Sequence, residues 1–593
     1  GTIDTMKKIL DLITEEMEQA FADAGYEKEL ARVTLSNRPD LCEYQCNGAM
    51  AAAKEYKKAP FMIGDEVVAI LQDNSAFEKV ECIKPGFINM VMSADFIGGY
   101  VRTMALEDKF GCDCEPKDET VFVDYGGANV AKPLHIGHLR SAVIGESVKR
   151  ICKFAGYKTI GDVHLGDWGL QMGLIITELK ERKPDLPYFD DNFTGKYPAE
   201  APFTISELEE IYPCASGKSK EDAEYKKSAQ NATYLLQNGH RGYTALWKHI
   251  INVSVADLKK NYDNLNVHFD LWKGESDAQP YIADMVKDMV DRGIAHESQG
   301  AIVVDIAEEN DSRELPPCII QKSDGAANYE TSDLATLIER EKLYAPKSYI
   351  YLADKRQELH YTQFFRVARK AGIVSPDTEL KFIGFGTMNG SDGKPFKTRQ
   401  GGVLRLEYLI KEIEDKVYEK IMANRTVDES EARNTAKMVG LAALKYGDLS
   451  NQASKDYVFD IDRFTSFEGD TGPYILYTIV RIKSILKKYE NAGGMVSGIH
   501  TANPESESER SLMLVLTGMQ DMIKTAYEES APHKICKFIY DLSNAFNHFY
   551  HETKILSEED ENKKKGYIAL IKLTKDVLET CVDLLGIEAP GRM

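Results

Sequence analysis

Two histidines, His135 and His138, stand three residues apart in the run NVAKPLHIGHLR at positions 129–140. The apolar residues 121–123 before this run predict a β-strand, and the helical spacing of apolar residues in 141–154 predicts an α-helix. The pair therefore falls where a strand turns into a helix, whose N-terminus offers unpaired N–H groups and partial positive charge to a phosphate. Gly137, without a side chain, would let a nucleotide lie against the backbone. The pattern predicts that both imidazoles donate hydrogen bonds to phosphate oxygens; a solvated loop with two incidental histidines is the competing interpretation.

Cationic side chains occur in two further places that suit phosphate chemistry. Lys132 lies just before the histidines, and residues 393–402 (GKPFKTRQGG) place Lys394, Lys397 and Arg399 between glycines. Positioned cations stabilise the negative charge that develops on phosphate oxygens in a transition state. We predict a loop that closes over pyrophosphate, with Lys397 and Arg399 as the preferred ligands and Lys394 as the alternative. A solvated lysine at 132 and an ordinary basic hairpin tip at 393–402 are the competing interpretations.

The tetrad His135-Ile136-Gly137-His138 at a strand-to-helix junction resembles the HIGH motif of class I aminoacyl-tRNA synthetases. Its flanks, and motifs further along the chain, resemble arginyl-tRNA synthetases in particular. The matching segments are 129–133, 139–141, 166–171, 266–270, 329–333, 393–399, 466–474 and 584–593. Residues 393–399 fall where class I enzymes carry the KMSKS loop, although the spelling differs. The resemblance covers the chain from about residue 120 to its last residue and is far more specific than the tetrad alone.

The resemblance implies a Rossmann-type parallel sheet and an arginine–tRNA ligase activity. L-Arginine and ATP, with Mg²⁺ accompanying the nucleotide, would form arginyl-adenylate and pyrophosphate, and arginine would then pass to the 3′ end of tRNA(Arg). No tightly bound cofactor and no dedicated metal cage are expected. The implied catalytic residues are His135, His138, Lys132, Lys397 and Arg399, and the implied ATP-binding residues are Gly137, His135, His138, Lys394 and Lys397.

Substrate selection would depend on carboxylates, because a guanidinium is planar, permanently charged and a multiple donor. Asp124 ends the first predicted strand, and Tyr329 and Asp333 lie four residues apart on one face of a predicted helix. In the family these motif positions line the guanidinium pocket, and Asn129 and Gln357 match positions that hold the substrate's amino and carboxylate ends. A strand-end cap at Asp124 and a surface carboxylate or N-cap at Asp333 are the competing interpretations.

Two neighbouring stretches bear on this pocket. Gly126-Gly127-Ala128 replaces the family's more usual Ser- and Pro-containing turn, which predicts a looser backbone before Asn129. His164 and Asp167 follow the second predicted strand and are expected to line the cleft for ATP or substrate.

Contacts with tRNA are suggested at both ends of the chain. Tyr474, Tyr477 and Arg481 lie on one long predicted helix, where aromatic stacking and phosphate contacts are possible. The resemblance implies that the C-terminal helices bind the anticodon and that Asn47 and Asn89 contact the outer corner of the tRNA. A tyrosine stripe at helical spacing is equally typical of core packing.

Three regions must position these residues. Residues 1–117 are predicted to form an α+β domain, residues 118–405 a catalytic domain with an insertion at about 185–300, and residues 406–593 an all-helical connector and anticodon-binding bundle. Strand candidates in the catalytic region are 121–125, 158–163, 301–305, 317–321, 348–353 and 380–385. Their alternation with helices is the pattern of a multidomain α/β protein with a mostly parallel sheet.

Bulk properties exclude several classes of protein. The 593 residues contain no uninterrupted apolar run of membrane-spanning length, and ten scattered cysteines form no zinc-binding set and fit a reducing cytoplasm. The net charge of −21 argues against non-specific coating of nucleic acid, which needs a broad basic surface. A cytoplasmic monomer is expected. The alternatives are a class I synthetase for another amino acid, lysine first, and a non-catalytic RNA-binding paralogue.

Overall fold

The computed structural model describes residues 6–394, 396, 404–424 and 427–593. The N-terminal elements are α1 (Ile9–Asp23), β1 (Val33–Leu35), β2 (Tyr44–Cys46), α2 (Gly48–Tyr56), α3 (Pro60–Leu71), β3 (Phe77–Ile83), β4 (Phe87–Met92) and α4 (Ala94–Leu106). The four strands form an antiparallel sheet in the order β1-β2-β4-β3. Helix α3 begins at Pro60, and proline is well tolerated in the first turn of a helix.

The central region alternates strands and helices. Its elements are β5 (Thr120–Asp124), α5 (Leu139–Phe154), β6 (Lys158–Asp162), α6 (Leu170–Arg182), α7 (Ile205–Glu221), α8 (Ala223–Gln237), α9 (Arg241–Asn264), α10 (Glu275–Asp291), β7 (His296–Ser298), β8 (Ala301–Val304), β9 (Cys318–Gln321), α11 (Tyr329–Leu343), β10 (Ser348–Asp354), α12 (Glu358–Lys370), β11 (Glu379–Phe385) and β12 (Met388–Asn389). Strands β11-β10-β5-β6, in this order, form a parallel sheet. The carboxyl ends of β5 and β10 are therefore neighbours, and a parallel sheet of this kind binds ligands at that edge.

Two strand candidates do not belong to the parallel sheet. Segments 301–305 and 317–321 correspond to β8 and β9, which pair antiparallel with each other and, through β8, with β7. The reason is local: Gln299 and Gly300 both have positive φ, 52° and 83°, so they form a tight hairpin turn between β7 and β8.

The predicted insertion at about 185–300 is largely helical. Helices α7, α8 and α9 follow one another with breaks at Asp222 and at 238–240. Asp222 ends one helix and caps the next, because its side chain accepts from the N–H groups of Glu224 and Tyr225. Helix α7 also continues through Pro213.

The C-terminal region is almost entirely helical, as predicted. Its elements are α13 (Leu406–Asn424), α14 (Glu429–Leu449), β13 (Tyr457–Val458), α15 (Ile461–Phe464), α16 (Gly472–Asn491), α17 (Glu507–Leu516), α18 (Met519–Glu528), α19 (Pro532–Glu552) and α20 (Glu561–Leu584). The helix predicted at 507–530 is interrupted between Leu516 and Met519. The multidomain α/β architecture with a helical C-terminal part is confirmed.

Helix α5 connects the sheet with the C-terminal helices. It is buried on nearly all sides, including polar positions such as Arg140, Glu146 and Ser147. Arg140 Nε donates to Asp448 Oδ1 in α14 at 2.8 Å, and Ser147 Oγ donates to the carbonyl of Leu584 at 2.8 Å. Across the ranges described above, no helix combines the length and apolar content that a membrane span requires.

Candidate active site

The histidine pair forms its own small turn ahead of α5. His135 is the N-cap of a 3₁₀ turn, Ile136–His138, and α5 starts at Leu139 rather than at the predicted residue 141. His135 Nδ1 accepts the N–H of Gly137 at 3.0 Å, and His138 Nδ1 accepts the N–H of His135 at 3.1 Å. The two rings lie 4.1 Å apart between centroids. Each ring is thus oriented by the backbone through Nδ1.

Both imidazoles are neutral near pH 7. Burial, followed by the positive charge of Lys132, lowers the pKa of His135. Burial, followed by the proximity of His135, lowers the pKa of His138 to about 3. Because each Nδ1 accepts a backbone N–H, the ring proton of each neutral histidine is on Nε2. The turn therefore presents two Nε2–H donors and no charge of its own.

The predicted cationic elements are placed as follows. Lys132 is half-buried, and its Nζ lies 4.6 Å from the ring centroid of Tyr212. Lys394 is exposed at a turn closed by a 2.8 Å hydrogen bond from the N–H of Gly390 to its carbonyl oxygen. Lys397 and Arg399 lie outside the described residues.

The chain that follows the cationic stretch is tied to the histidine turn. The N–H of Ile136 donates to the carbonyl of Leu404 at 3.1 Å, and the N–H of Leu406 donates to that of Leu134 at 3.0 Å. Arg405, between them, donates to Glu209 of α7 at 2.9 Å. Residues 404–406, which follow the cationic stretch, are therefore held beside the two histidines by backbone hydrogen bonds.

Asp124 stands at the carboxyl end of β5, as predicted, but one of its oxygens is already occupied. Arg340 Nη2, from α11, donates to Asp124 Oδ2 at 2.7 Å and to Asp162 Oδ2 at 2.8 Å. The Arg340 guanidinium is 3 % exposed and lies 4.4 Å from the ring centroid of Phe122. Within the described ranges, Asp124 Oδ1 has no hydrogen-bond partner. One oxygen of Asp124 therefore binds an internal guanidinium, a contact that the sequence did not indicate.

Asp333 is engaged in a similar way. It lies in the second turn of α11, and its Oδ2 contacts Nε2 of His360 in the first turn of α12 at 2.5 Å. The N-cap of α11 is Asn328, so Asp333 is not a capping residue. Tyr329 begins α11 and is 77 % exposed. Tyr329 and Asp333 thus share one face of the helix, as predicted from their spacing.

Asn129 and Gln357 flank this pocket at the ends of neighbouring strands. Asn129 is half-buried and forms a parallel bridge with Gly166. Gln357 is exposed, and it precedes α12 directly after β10. The parallel sheet brings both residues to the edge that holds Asp124.

The glycine turn before Asn129 has a left-handed backbone and is tied to α5 at Gly126. Gly126 and Gly127 have φ of +95° and +66°, a backbone region that favours glycine. The N–H of Gly126 donates to Ser141 Oγ at 2.8 Å, and a Cβ on Gly126 would lie 2.8 Å from the ring of Phe269. The conformation of the turn therefore accounts for glycine at both positions, and the looser backbone stays a prediction.

His164 and Asp167 have structural partners. His164 is largely buried, and its Nδ1 lies 3.6 Å from Asp162 Oδ2. Burial lowers the pKa of His164, but the interaction with the Asp162 carboxylate outweighs burial, and the pKa of His164 is raised to about 9. Asp167 accepts hydrogen bonds from the N–H and Oγ of Ser276, at 2.9 and 2.7 Å, and so caps α10. Asp167 is buried, which does not support its predicted place on the cleft surface.

The aromatic residues of α16 border a second cavity, of about 800 Å³, in the C-terminal helices. Tyr474, Tyr477 and Arg481 all line it, together with Asn544 and Asn547 of α19. Arg481 donates to Asn547 Oδ1 at 2.8 Å and to the hydroxyl of Tyr477 at 3.2 Å. These residues therefore line a cavity with polar groups, and Tyr474 also packs, partly buried, against the hydrophobic core.

The two N-terminal asparagines differ in accessibility. Asn47 is exposed at the N-cap of α2 and makes no capping hydrogen bond. Asn89 is only 8 % exposed, and its Oδ1 accepts a 3.0 Å hydrogen bond from Gln45. Cross-strand pairing with Gln45 and Glu81 thus covers Asn89, and a direct contact of Asn89 with tRNA is not supported.

Arg340 and His360 are the site residues that sequence reasoning missed. Arg340 lies seven residues after Asp333, which is the spacing of one helix face, so the sequence did carry a signal. His360 lies in the same short segment as Gln357. Neither was recognisable as a carboxylate partner without the packing of α11 against β5 and α12.

Three successive parts of the chain match known protein families. Residues 101–461 match the family described as tRNA synthetases class I (R), catalytic domain. Residues 475–593 match the DALR anticodon binding domain, and residues 7–92 match the arginyl tRNA synthetase N terminal domain.

Individual relatives agree over the whole length. An arginine–tRNA ligase of Agathobacter rectalis is 64 % identical over 597 residues, covering 99 % of this chain and 100 % of the relative. One of Alkaliphilus oremlandii is 55 % identical with the same coverage. The crystal structure of arginyl-tRNA synthetase from Plasmodium falciparum aligns with a TM-score of 0.79 at 24 % identity, covering 100 % of both chains. That of Thermus thermophilus aligns with a TM-score of 0.77 at 20 % identity, covering 99 % and 100 %, and these two structures support the fold alone.

Proposed function

The chain belongs to the arginyl-tRNA synthetase family of class I aminoacyl-tRNA synthetases, and on this premise we propose how its residues carry out the reaction. As an arginine–tRNA ligase, it activates L-arginine with ATP to arginyl-adenylate and pyrophosphate, and transfers arginine to the 3′ end of tRNA(Arg). Magnesium enters with ATP. The predicted function agrees with the family, and no covalent enzyme intermediate is needed.

The histidine turn is the observation that carries the proposal for ATP. Two neutral imidazoles, His135 and His138, are oriented through Nδ1 and keep their Nε2–H donors for the phosphates. Gly137 is exposed between them and leaves room for the nucleotide. Preorganised donors aimed at developing phosphate charge require no reorganisation during the reaction, which is the main source of electrostatic catalysis.

Positive charge for pyrophosphate departure would come from the stretch 393–402. We assign Lys397 and Arg399 as phosphate ligands, Lys394 as the alternative and Lys132 as an auxiliary cation. The support is the anchoring of residues 404–406 beside the histidine turn, because these residues follow the stretch directly in the chain. Lys397→Ala should lower the activation rate by orders of magnitude, and an unchanged rate of ATP–pyrophosphate exchange would refute the assignment.

Arginine recognition would use the edge formed by β5, α11 and β10. Among the residues that the structure describes, Asp124 and Asp333 each keep one oxygen without a hydrogen-bond partner, and these two oxygens suit in-plane contacts with a guanidinium. Tyr329 would cover the guanidinium, while Asn129 and Gln357 would hold the amino and carboxylate ends. A compact ammonium offers no such planar pair of donors, so the pocket favours arginine over lysine.

Binding of tRNA would involve both ends of the chain. The cavity bordered by Tyr474, Tyr477 and Arg481 fits a splayed anticodon base, since it combines aromatic faces with amide groups. Asn47 is exposed at the N-cap of α2 and suits a contact with the outer part of the tRNA.

We also retain the division into residues 1–117, 118–405 and 406–593, with the insertion at about 185–300. We propose that the protein acts as a cytoplasmic monomer and that activation requires bound tRNA. Robust pyrophosphate exchange without tRNA would refute the last point.

Aminoacylation of bulk tRNA with radiolabelled arginine tests the central activity. Arginine should be esterified to tRNA in an ATP-dependent manner, whereas radiolabelled lysine at the same concentration should not. Charging with lysine would identify a class I synthetase for another amino acid, and charging with neither would indicate a non-catalytic RNA-binding paralogue.

A further inference from the structure

His360 lies between two carboxylates of α11. Its Nε2 is 2.5 Å from Asp333 Oδ2, and its Nδ1 is 3.2 Å from Glu330 Oε1. The ring is largely buried, in edge contact with the neighbouring Tyr361 and stacked at 6.4 Å on Phe364. No backbone group competes for either ring nitrogen among the described residues.

This geometry requires the imidazolium form. A carboxylate is an acceptor only, so a ring that faces one carboxylate with each nitrogen must donate from both. Burial alone would lower the pKa of His360, but the hydrogen bonds of Asp333 and Glu330 raise it to about 9. Other polar groups near this pair are Cys318 of β9, beside Glu330, and Glu275 of α10, Tyr351 of β10 and Tyr361 of α12, which face Asp333. The hydrogen bonds therefore add a fixed positive charge at the edge of the arginine pocket.

A buried cation beside a pocket for a cationic substrate would repel that substrate, so its contacts must provide a compensating advantage. His360 occupies Oδ2 of Asp333, while Oδ1 has no hydrogen-bond partner in the described chain. Arg340 does the same for Asp124, where Oδ2 is occupied and Oδ1 is not. One imidazolium between two carboxylates also leaves a local charge of −1, which matches the single positive charge of a guanidinium.

We propose that His360 is a positioning residue for arginine recognition, in that it holds Asp333 through one carboxylate oxygen and leaves the other directed to the substrate guanidinium. The inference rests on the proposed role of Asp333. His360 itself does not contact arginine, and it acts by removing the rotational freedom of the Asp333 carboxylate before binding. A preorganised carboxylate costs less conformational entropy when the guanidinium arrives.

Two nearly isosteric variants separate the two ring nitrogens. In His360→Asn the side-chain amide reaches the position of Nδ1 and retains the contact with Glu330 only. In His360→Gln the amide reaches the position of Nε2 and retains the contact with Asp333. We expect His360→Asn to raise the KM for arginine about 10- to 100-fold, the range that a hydrogen bond to a charged group supports. His360→Gln should stay within about threefold of wild type, and the KM for ATP should not change in either variant.

The matched control is His296→Asn. His296 is 52 % exposed on β7 and lies 3.8 Å from a single carboxylate, Asp305, far along the chain from the pocket. It should leave every kinetic constant unchanged. Thermal unfolding midpoints of all variants establish that they are folded, and equal losses in kcat and in both KM values would indicate a merely structural role for His360 and overturn the proposal.

Comparison with Asp333→Asn and with the double variant separates the role of Asp333 in arginine binding from the positioning role of His360. If Asp333→Asn leaves the KM for arginine unchanged, the role of Asp333 fails and the positioning role fails with it. If Asp333→Asn raises that KM but His360→Asn does not, only the positioning role is refuted. The proposal predicts that the double variant is no worse than Asp333→Asn alone, because His360 acts through Asp333. A lowered KM in His360→Asn would show that the imidazolium competes with the substrate and would overturn the proposal.

Discussion

Replacing Lys445 by methionine should change how the stability of the protein depends on pH. Lys445 lies in α14 with no exposed surface, and its Nζ donates to the carbonyl oxygen of Gly586 at 2.9 Å. Burial, with Arg150 acting in the same direction, lowers its pKa from 10.5 to about 7. The native protein therefore loses this proton near neutral pH, whereas the unfolded chain keeps it until about pH 10.5.

The magnitude follows from proton linkage. Between about pH 7 and 10.5 the unfolded chain binds one more proton than the native chain, so the free energy of unfolding of the wild type rises with pH. The slope is at most about 1.4 kcal/mol per pH unit, which sums to about 5 kcal/mol over the window. In Lys445→Met this contribution is absent, and the carbonyl of Gly586 loses one of its two donors, keeping Asn266 Nδ2 at 3.0 Å, at a cost that does not depend on pH. The free energy of wild type minus that of the variant should therefore increase from pH 7 to pH 10 and be constant below pH 6.

Urea unfolding at pH 6, 7, 8, 9 and 10 measures this difference, with the fluorescence of the three tryptophans as the signal. Lys437 is exposed on the same helix, so Lys437→Met is the matched control and should keep the wild-type pH dependence. If the curves of wild type and Lys445→Met run parallel from pH 7 to 10, Lys445 keeps its charge in the native state and the reasoning is refuted.

Three further outcomes follow from other contacts. His138→Asn retains the acceptor for the backbone but lacks the Nε2–H donor, so ATP–pyrophosphate exchange should fall about 10²- to 10³-fold. His138→Gln, which retains a donor near Nε2, should lose less, and equal rates would contradict the assigned tautomer. Asp448→Asn leaves the buried Arg140 guanidinium without its counter-ion, so the free energy of urea unfolding should fall by about 3–5 kcal/mol; a loss below about 1 kcal/mol would refute this account. Arg481→Ala removes a cation that contacts Tyr477. It should raise the KM for tRNA about tenfold and leave the KM for arginine unchanged. An unchanged KM for tRNA would show that the cavity is not a tRNA site.

The chemistry of ATP could be predicted from the sequence because its signals are local. His135 and His138 are three residues apart, and their position between a strand and a helix follows from apolar periodicity within about 30 residues. The same holds for Tyr329 and Asp333, whose shared helix face is a direct consequence of their spacing. The helices of the C-terminal region could be predicted in the same way, since each has its own amphipathic repeat.

The two correctly predicted strands that pair antiparallel show what local sequence does not specify. Segments 301–305 and 317–321 have the composition of buried strands, and composition does not state which sheet a strand joins. The partner was decided by the turn at Gln299 and Gly300, whose left-handed backbone connects β7 to β8 as a hairpin. Because β8 pairs antiparallel with β7 and with β9, it does not join the parallel sheet.

What the sequence by itself determined is therefore the reaction: the residue types for phosphate contact, the spacing that orients them and the carboxylates that suit a guanidinium. The tertiary structure alone decided the state of those carboxylates. Arg340 reaches Asp124 across 216 positions of the chain, and His360 reaches Asp333 from a different helix. Such contacts depend on how whole elements pack, and no periodicity or spacing within a segment encodes them. The internal cations that hold each carboxylate by one oxygen could be found only once the sheet had brought the elements together.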